Sequence, residues 1–198
     1  MVKDDIQKYP SSDSPNHDAF EGIVELYYEI KGYITSSGKW FWKKSEGRSQ
    51  RGYQDIDVLA INGIETIIVS VSSNFDDKLN FSKGTQIINQ KKSEKTKDHF
   101  QRVVEFLTET KDYQWLINKP RNIKKVIAFI NAPNNLIKYE KFLNSENIDL
   151  LKVEDMITEI SEYLDNNQNL QIQNQTLKIL QLLKDKDRYQ LLQSKIQG

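Results

Sequence analysis

Apolar positions along the chain switch between two periods. Phe20, Ile23, Val24, Tyr27, Ile30 and Ile34 recur at helical spacing, which predicts a helix capped by Asn16 or Asp18 and frayed at Gly32. Gly38 then opens a short strand, WFWKK, with Trp40 and Trp42 on one face and Phe41 on the other. From Gly52 to Ser73 the run GYQDIDVLAINGIETIIVSVSS reads as two strands around Asn62-Gly63, the dipeptide that favours a two-residue type I′ hairpin. Counting back from that turn sets Ile61 opposite Ile64, Asp57 opposite Ile68 and Asp55 opposite Ser70. Side chains alternate faces with period 2, so Asp55, Asp57, Ser70 and Ser72 share one side.

The second half returns to longer periods. SNFDDKLNFSKGTQIINQKKSEKT reads as a polar connection, of a length that marks a functional or disordered loop. A helix over about 98–110 places Phe100, Val103, Val104 and Leu107 at core spacing. After Pro120, IKKVIAFI (123–130) reads as a buried strand, 134–144 as a helix, DLLKV (149–153) as a short strand and 154–164 as a helix carrying Met156, Ile157, Ile160 and Leu164. A hairpin followed by strand–helix–strand–helix is an α/β order, a mixed sheet with flanking helices. Residues 1–16 form a polar N-terminal arm, 17–165 the α/β domain and 166–198 a helical C-terminal tail rich in Gln, Asn and Leu. The tail's default is to pack on the domain. Leu177, Leu180, Leu183 and Leu191 also allow a homodimer seam, over about two heptads where three or four are needed for a coiled coil.

Composition removes several classes of chemistry. There is no cysteine, hence no disulfide and no thiolate zinc site, and only His17 and His99 offer imidazole. No apolar run approaches the roughly 20 residues of a membrane helix, and the start lacks a signal-peptide core, so a soluble cytoplasmic protein without membrane partners is expected. The heavy use of Ile, Lys and Asn fits a prokaryotic, AT-rich coding sequence.

Lys+Arg and Asp+Glu are equal at 28 each, yet unevenly spread. Residues 39–51 hold Lys39, Lys43, Lys44, Arg48 and Arg51 against Glu46, and residues 78–102 hold seven basic groups against Glu94 and Asp98. Residues 140–165 reverse the sign, with eight acids against Lys141 and Lys152. The asymmetry permits a nucleic-acid face beside the hairpin, with Lys43, Lys44, Arg48, Arg51 and Lys78 as candidates; solvated surface is the ordinary alternative. Trp40 and Trp42 can stack on bases, but strand tryptophans are more often core.

DIDVLAI followed by a second strand resembles the PD-(D/E)XK nuclease superfamily, the restriction-endonuclease-like fold, over about 20–164. The resemblance aligns Asp57 with the family's first acid. It aligns Ser70 with the second carboxylate and Ser72 with the lysine, so two of the three positions are degenerate. It also implies a glutamate from the first helix, Glu21 or Glu25, although Glu21, Glu25 and Glu29 equally form a solvated i, i+4 stripe. A displaced lysine such as Lys78 requires the chain to fold back, because Asp76 lies roughly 13 Å beyond Ser72 in an extended strand at about 3.3 Å per residue.

Two functions follow. One is a catalytically weak or inactive pseudo-nuclease serving as a nucleic-acid-binding or assembly module, on DNA or on a protein partner. The other is an active deoxyribonuclease in which Asp57 holds Mg or Mn, helped by Asp55, Glu21 or Glu25 and a displaced lysine. Neutral serines are weak metal ligands, and loss of a transition-state donor costs about 10²–10³ in rate. Asp55 and Asp57 can also be plain strand residues, with the resemblance only architectural.

Overall fold

Five strands lie side by side in the order in which the chain makes them. The computed structural model describes residues 19–43, 52–82, 87–111, 122–133 and 135–167. Its elements are α1 (Ala19–Ile30), β1 (Ile34–Lys43), β2 (Gly52–Ile61), β3 (Glu65–Asn74), α2 (Phe75–Lys78), α3 (Gln90–Glu109) and β4 (Asn122–Asn131). A 3₁₀ turn (Leu136–Tyr139), α4 (Glu140–Glu146), β5 (Ile148–Lys152) and α5 (Val153–Asn166) complete it. β1, β2 and β3 are antiparallel neighbours; β3, β4 and β5 are parallel. This is the expected α/β architecture, a mixed sheet with helices on both faces. The polar arm and nearly all of the C-terminal tail, including its leucine seam, lie outside the described residues.

The two faces bury different partners. Val58, Ala60, Ile67, Val69, Val126 and Ala128 pack under α1 and α5, against Val24, Tyr27, Met156 and Ile160. Leu59, Ile68, Ile127 and Phe129 pack under α2, α3 and α4, against Phe75, Phe100, Val103 and Leu143. Burial on both sides explains why β3 and β4 read as nearly continuous apolar runs rather than strict alternation.

α1 stops where a left-handed residue can stop it. Gly32 has φ 84°. Its N–H donates to the Glu29 carbonyl (2.9 Å) and the Tyr33 N–H to the Tyr28 carbonyl (3.0 Å), a Schellman pair. The apolar contact that accompanies such ends is here Tyr28 against Tyr33, with ring centroids 5.4 Å apart. Ile34 is therefore not the last helical residue that its spacing suggested; it opens β1 and is 77% exposed. A Cβ on Gly32 meets nothing within 4 Å, so the cost of Gly32→Ala is conformational. We expect a loss of about 1–2 kcal/mol in urea unfolding. No measurable loss would mean the cap does not hold in solution.

β1 is longer than WFWKK, because pairing with β2 carries it back to Ile34, straight through Gly38. Gly38 has φ 59° in mid-strand. The ladder runs from Ser37↔Val58 to Lys39↔Ile56, omitting Gly38 and Asp57 between them. Val58 belongs to the core under α1, whereas Ile56, two residues away, belongs to the core under α3. In a flat strand the two would share a face. The β1–β2 ribbon turns over at Gly38 and Asp57, as ribbons do at left-handed or bulged positions.

Candidate functional site

The hairpin turn is not the one its dipeptide suggests. β2 and β3 pair as Ile61↔Thr66, Ala60↔Ile67, Leu59↔Ile68 and Val58↔Val69, two residues out of the expected register. Asn62 acts through its side chain. Its Oδ1 accepts from the N–H groups of Ile64 and Glu65, both at 2.8 Å, and Gly63 has no positive φ. This Asx-type turn competes successfully with the left-handed conformation that type I′ needs. Ile68 thus faces Leu59, not Asp57, and Asp55 does not lie opposite Ser70. A shift of two preserves the faces, so Asp57 and Ser70 still project to one side.

Asp57 is 8% exposed at the turnover of the ribbon. Its Oδ2 accepts from the Val71 N–H (2.6 Å) and the Ser70 hydroxyl (3.2 Å). Ser70, which the resemblance aligns with a carboxylate, is thus a donor to Asp57. Ser72, which the resemblance aligns with the lysine, donates to the Asn74 carbonyl (2.9 Å).

A cation arrives from elsewhere. β3 runs directly into α2, and Lys78 at its end brings Nζ to 3.8 Å from Asp57 Oδ2. The fold-back that Lys78 required is made by Phe75, which is fully buried against Phe129 and Tyr139 (centroids 5.3 and 4.9 Å). α3 fixes the segment: Thr96 Oγ1 donates to the Lys78 carbonyl (2.7 Å), and Lys92 Nζ to the Asp76 carbonyl. Lys78, half-buried, is therefore the partner of Asp57 rather than an open phosphate ligand. The sequence signal was an apolar i, i+4 pair, Phe75 and Leu79, inside the polar run.

His99 was not among the expected site residues. It lies on α3 three positions after Thr96, and its Nε2 is buried without a hydrogen-bond partner among the described residues. Burial lowers its pKa from the usual 6.5; Asp57, Asp55 and Asp98 pull it back, and Lys78 lowers it further. Burial raises the carboxyl of Asp57, with Asp55 adding to the rise and Lys78, the Val71 N–H and His99 opposing it.

A base whose folded pKa lies below its unfolded one loses stability as pH falls from about 6.5 toward the folded value. The raised Asp57 acts the other way, losing its contribution as pH climbs above about 3.8 toward its folded value. Midpoints of thermal unfolding should therefore drop between pH 7.5 and 5.5 in the wild type, and drop less in His99→Phe. Equal drops in both proteins would show that the imidazole is not protonated on unfolding.

Other expected residues are not brought here. α1, bearing Glu21 and Glu25, packs on the face of Val58 and Val69, while Asp57 meets Ser70 and Lys78 on the face of α2 and α3. Among the described residues no three His, Cys, Asp or Glu side chains converge as a metal-ligand set. With no such set beside it, and with its Oδ2 already taking two donors and an ammonium, Asp57 does not make the donor set that the divalent ion of the nuclease resemblance needs. Lys44, Arg48 and Arg51 lie outside the described residues, as do the side chains of Trp40, Trp42 and Lys43.

No family model matches the chain, and no curated protein matches it. One solved structure, the crystal structure of a protein of unknown function, AF1548, is similar at a TM-score of 0.44 and 14% identity, covering 79% of this chain and 72% of that one. A likeness so distant assigns nothing. Among the described residues no helix is long and apolar enough to cross a membrane.

Proposed function

We propose that the chain is a restriction-endonuclease-like module with weak or absent cleavage chemistry, which binds nucleic acid or takes part in an assembly. One observation carries this reading. The place of the second carboxylate holds Ser70, whose hydroxyl donates to Asp57 Oδ2 at 3.2 Å, so the first acid is satisfied internally. A buried carboxylate oxygen that already takes a hydroxyl, a backbone N–H and an ammonium is a structural group before it is a metal ligand.

A second reading has one observation in its favour. Lys78 stands 3.8 Å from Asp57, returning a cation to the acid from α2. That supports an active deoxyribonuclease dependent on Mg or Mn, with Asp55 as the other acid. Incubation of single- and double-stranded DNA with either metal separates the two readings, using the wild type, Asp57→Asn and Lys78→Ala. The module reading expects no cutting by any of the three, with salt-dependent DNA binding retained where the module's partner is nucleic acid. Metal-dependent cutting by the wild type that both substitutions abolish would replace it with the second.

A further inference from the structure

The turn between β2 and β3 holds a reactive pair. In an Asn-Gly sequence the glycine nitrogen can approach the asparagine side-chain carbon unhindered, because its residue carries no Cβ. Asn62-Gly63 is the one such pair in the chain.

The turn treats the two ends of the Asn62 amide differently. Oδ1 accepts from the N–H groups of Ile64 and Glu65, each at 2.8 Å. The amide nitrogen hydrogen-bonds to Tyr33, whose hydroxyl gives its own proton to Glu65 Oε1 and so offers a lone pair. Donors on one side and an acceptor on the other fix which end is oxygen. Gly63 and Ile64 are exposed, and the Gly63 N–H has no hydrogen-bond partner among the described residues. The side chain therefore folds back along the peptide that follows it, its carbonyl held and the Gly63 nitrogen left free.

Two N–H donors at this distance from one carbonyl oxygen stabilise negative charge developing there. Gly63 N, after losing its proton to solvent, bonds to Asn62 Cγ, and the charge moves onto Oδ1, which both donors already face. The Cγ–Nδ2 bond then breaks, and the nitrogen takes a proton from solvent and leaves as ammonia. Water opens the resulting cyclic imide at either carbonyl. One opening gives aspartate; the other gives isoaspartate, in which the main chain runs through the side-chain carbon.

We propose that Asn62 is a self-modification site, where the folded turn promotes deamidation through Gly63. The inference is independent of what the domain binds. Its two products differ in what they do to the hairpin. Aspartate still offers an oxygen to the Ile64 and Glu65 N–H groups, as a charged and stronger acceptor. Isoaspartate lengthens the main chain within the turn and carries that acceptor away. The Ile61↔Thr66 pairing, next to the turn in the ladder that sets Ser70 beside Asp57, then loses its anchor.

The test follows conversion at Asn62 by peptide mass spectrometry of the full chain, incubated at mildly alkaline pH either folded or in guanidinium. Gly63→Ala serves as the blocked variant. Gly63 has no positive φ, and a Cβ there meets nothing within 4 Å, so alanine keeps the turn while shielding the nitrogen. The folded wild type should convert at least as fast as the unfolded chain, with ammonia released in step, and folded Gly63→Ala should convert several-fold more slowly. The isoaspartyl form, separated chromatographically, should unfold at lower urea than Asn62→Asp. A folded chain that converts more slowly than the unfolded one shows that the turn protects Asn62, and overturns the inference. So does conversion in Gly63→Ala at the wild-type rate, which means direct hydrolysis of the amide. Equal unfolding midpoints for the isoaspartyl form and Asn62→Asp overturn the proposed effect on the hairpin.

Discussion

Replacing Phe75 with alanine should lower the unfolding free energy by about 3–5 kcal/mol, a large share of a domain's total stability. The side chain is fully buried and meets the edges of Phe129 and Tyr139. Alanine leaves a cavity that those rings cannot close, since Phe129 is fixed in β4 and Tyr139 in the 3₁₀ turn. The effect should reach the site as well. α2 is four residues long and too short to persist alone, so its position depends on the Phe75 anchor and the clasp from α3. Phe75→Leu keeps most of the volume and should cost less than half as much. Urea unfolding of both variants measures this; a loss under about 1 kcal/mol for alanine would show that α2 is anchored otherwise.

Asp57→Ala should cost about 2–3 kcal/mol, and Asp57→Asn clearly less. Alanine strands the partly buried Val71 N–H without its acceptor, where a fully buried donor would cost about 1–3 kcal/mol. It also leaves Lys78 unpaired, a smaller effect, since its side chain retains 27% of its exposure and reaches water. Asparagine still offers an oxygen to Val71 and Ser70 and loses only the charge. Equal losses for the two variants would mean that the ion pair, not the hydrogen bonds, dominates. A stable, unchanged Asp57→Ala would mean the acid is kept for something other than the fold.

The fold's outline was legible because the strands and most helices announce themselves through burial. VIAFI in β4 and the spacing of Phe100, Val103 and Leu107 in α3 need no tertiary knowledge. What escaped was set by contacts distant in sequence. The first two turns of α3 lack apolar periodicity and form because Asn89 caps them and Thr96 reaches Lys78. The hairpin register missed by two residues because Asn62 can satisfy a turn in two ways, and the sequence does not rank them. The site was half visible: Asp57 and Ser70 meet as the alternation implied. Lys78 was placed out of reach by extended-chain geometry, which Phe75 breaks immediately after Asn74. His99 left no trace at all, since its relation to Asp57 exists only once α3 lies across the sheet.

Strand order that equals chain order has a consequence during translation. β1, β2 and β3 can zip together as they leave the ribosome, since hairpins form in about 1–10 μs while synthesis adds about 5–20 residues per second. β3 ends at Asn74 and β4 begins at Asn122, so β3 waits roughly 2–10 s at that pace for its parallel neighbour. Throughout that interval TIIVSVSS is the open margin of a nascent three-stranded sheet, with no charge and no proline along it. Such a margin templates association with other chains. The newborn protein is vulnerable there, at a strand that ends in the middle of the finished sheet.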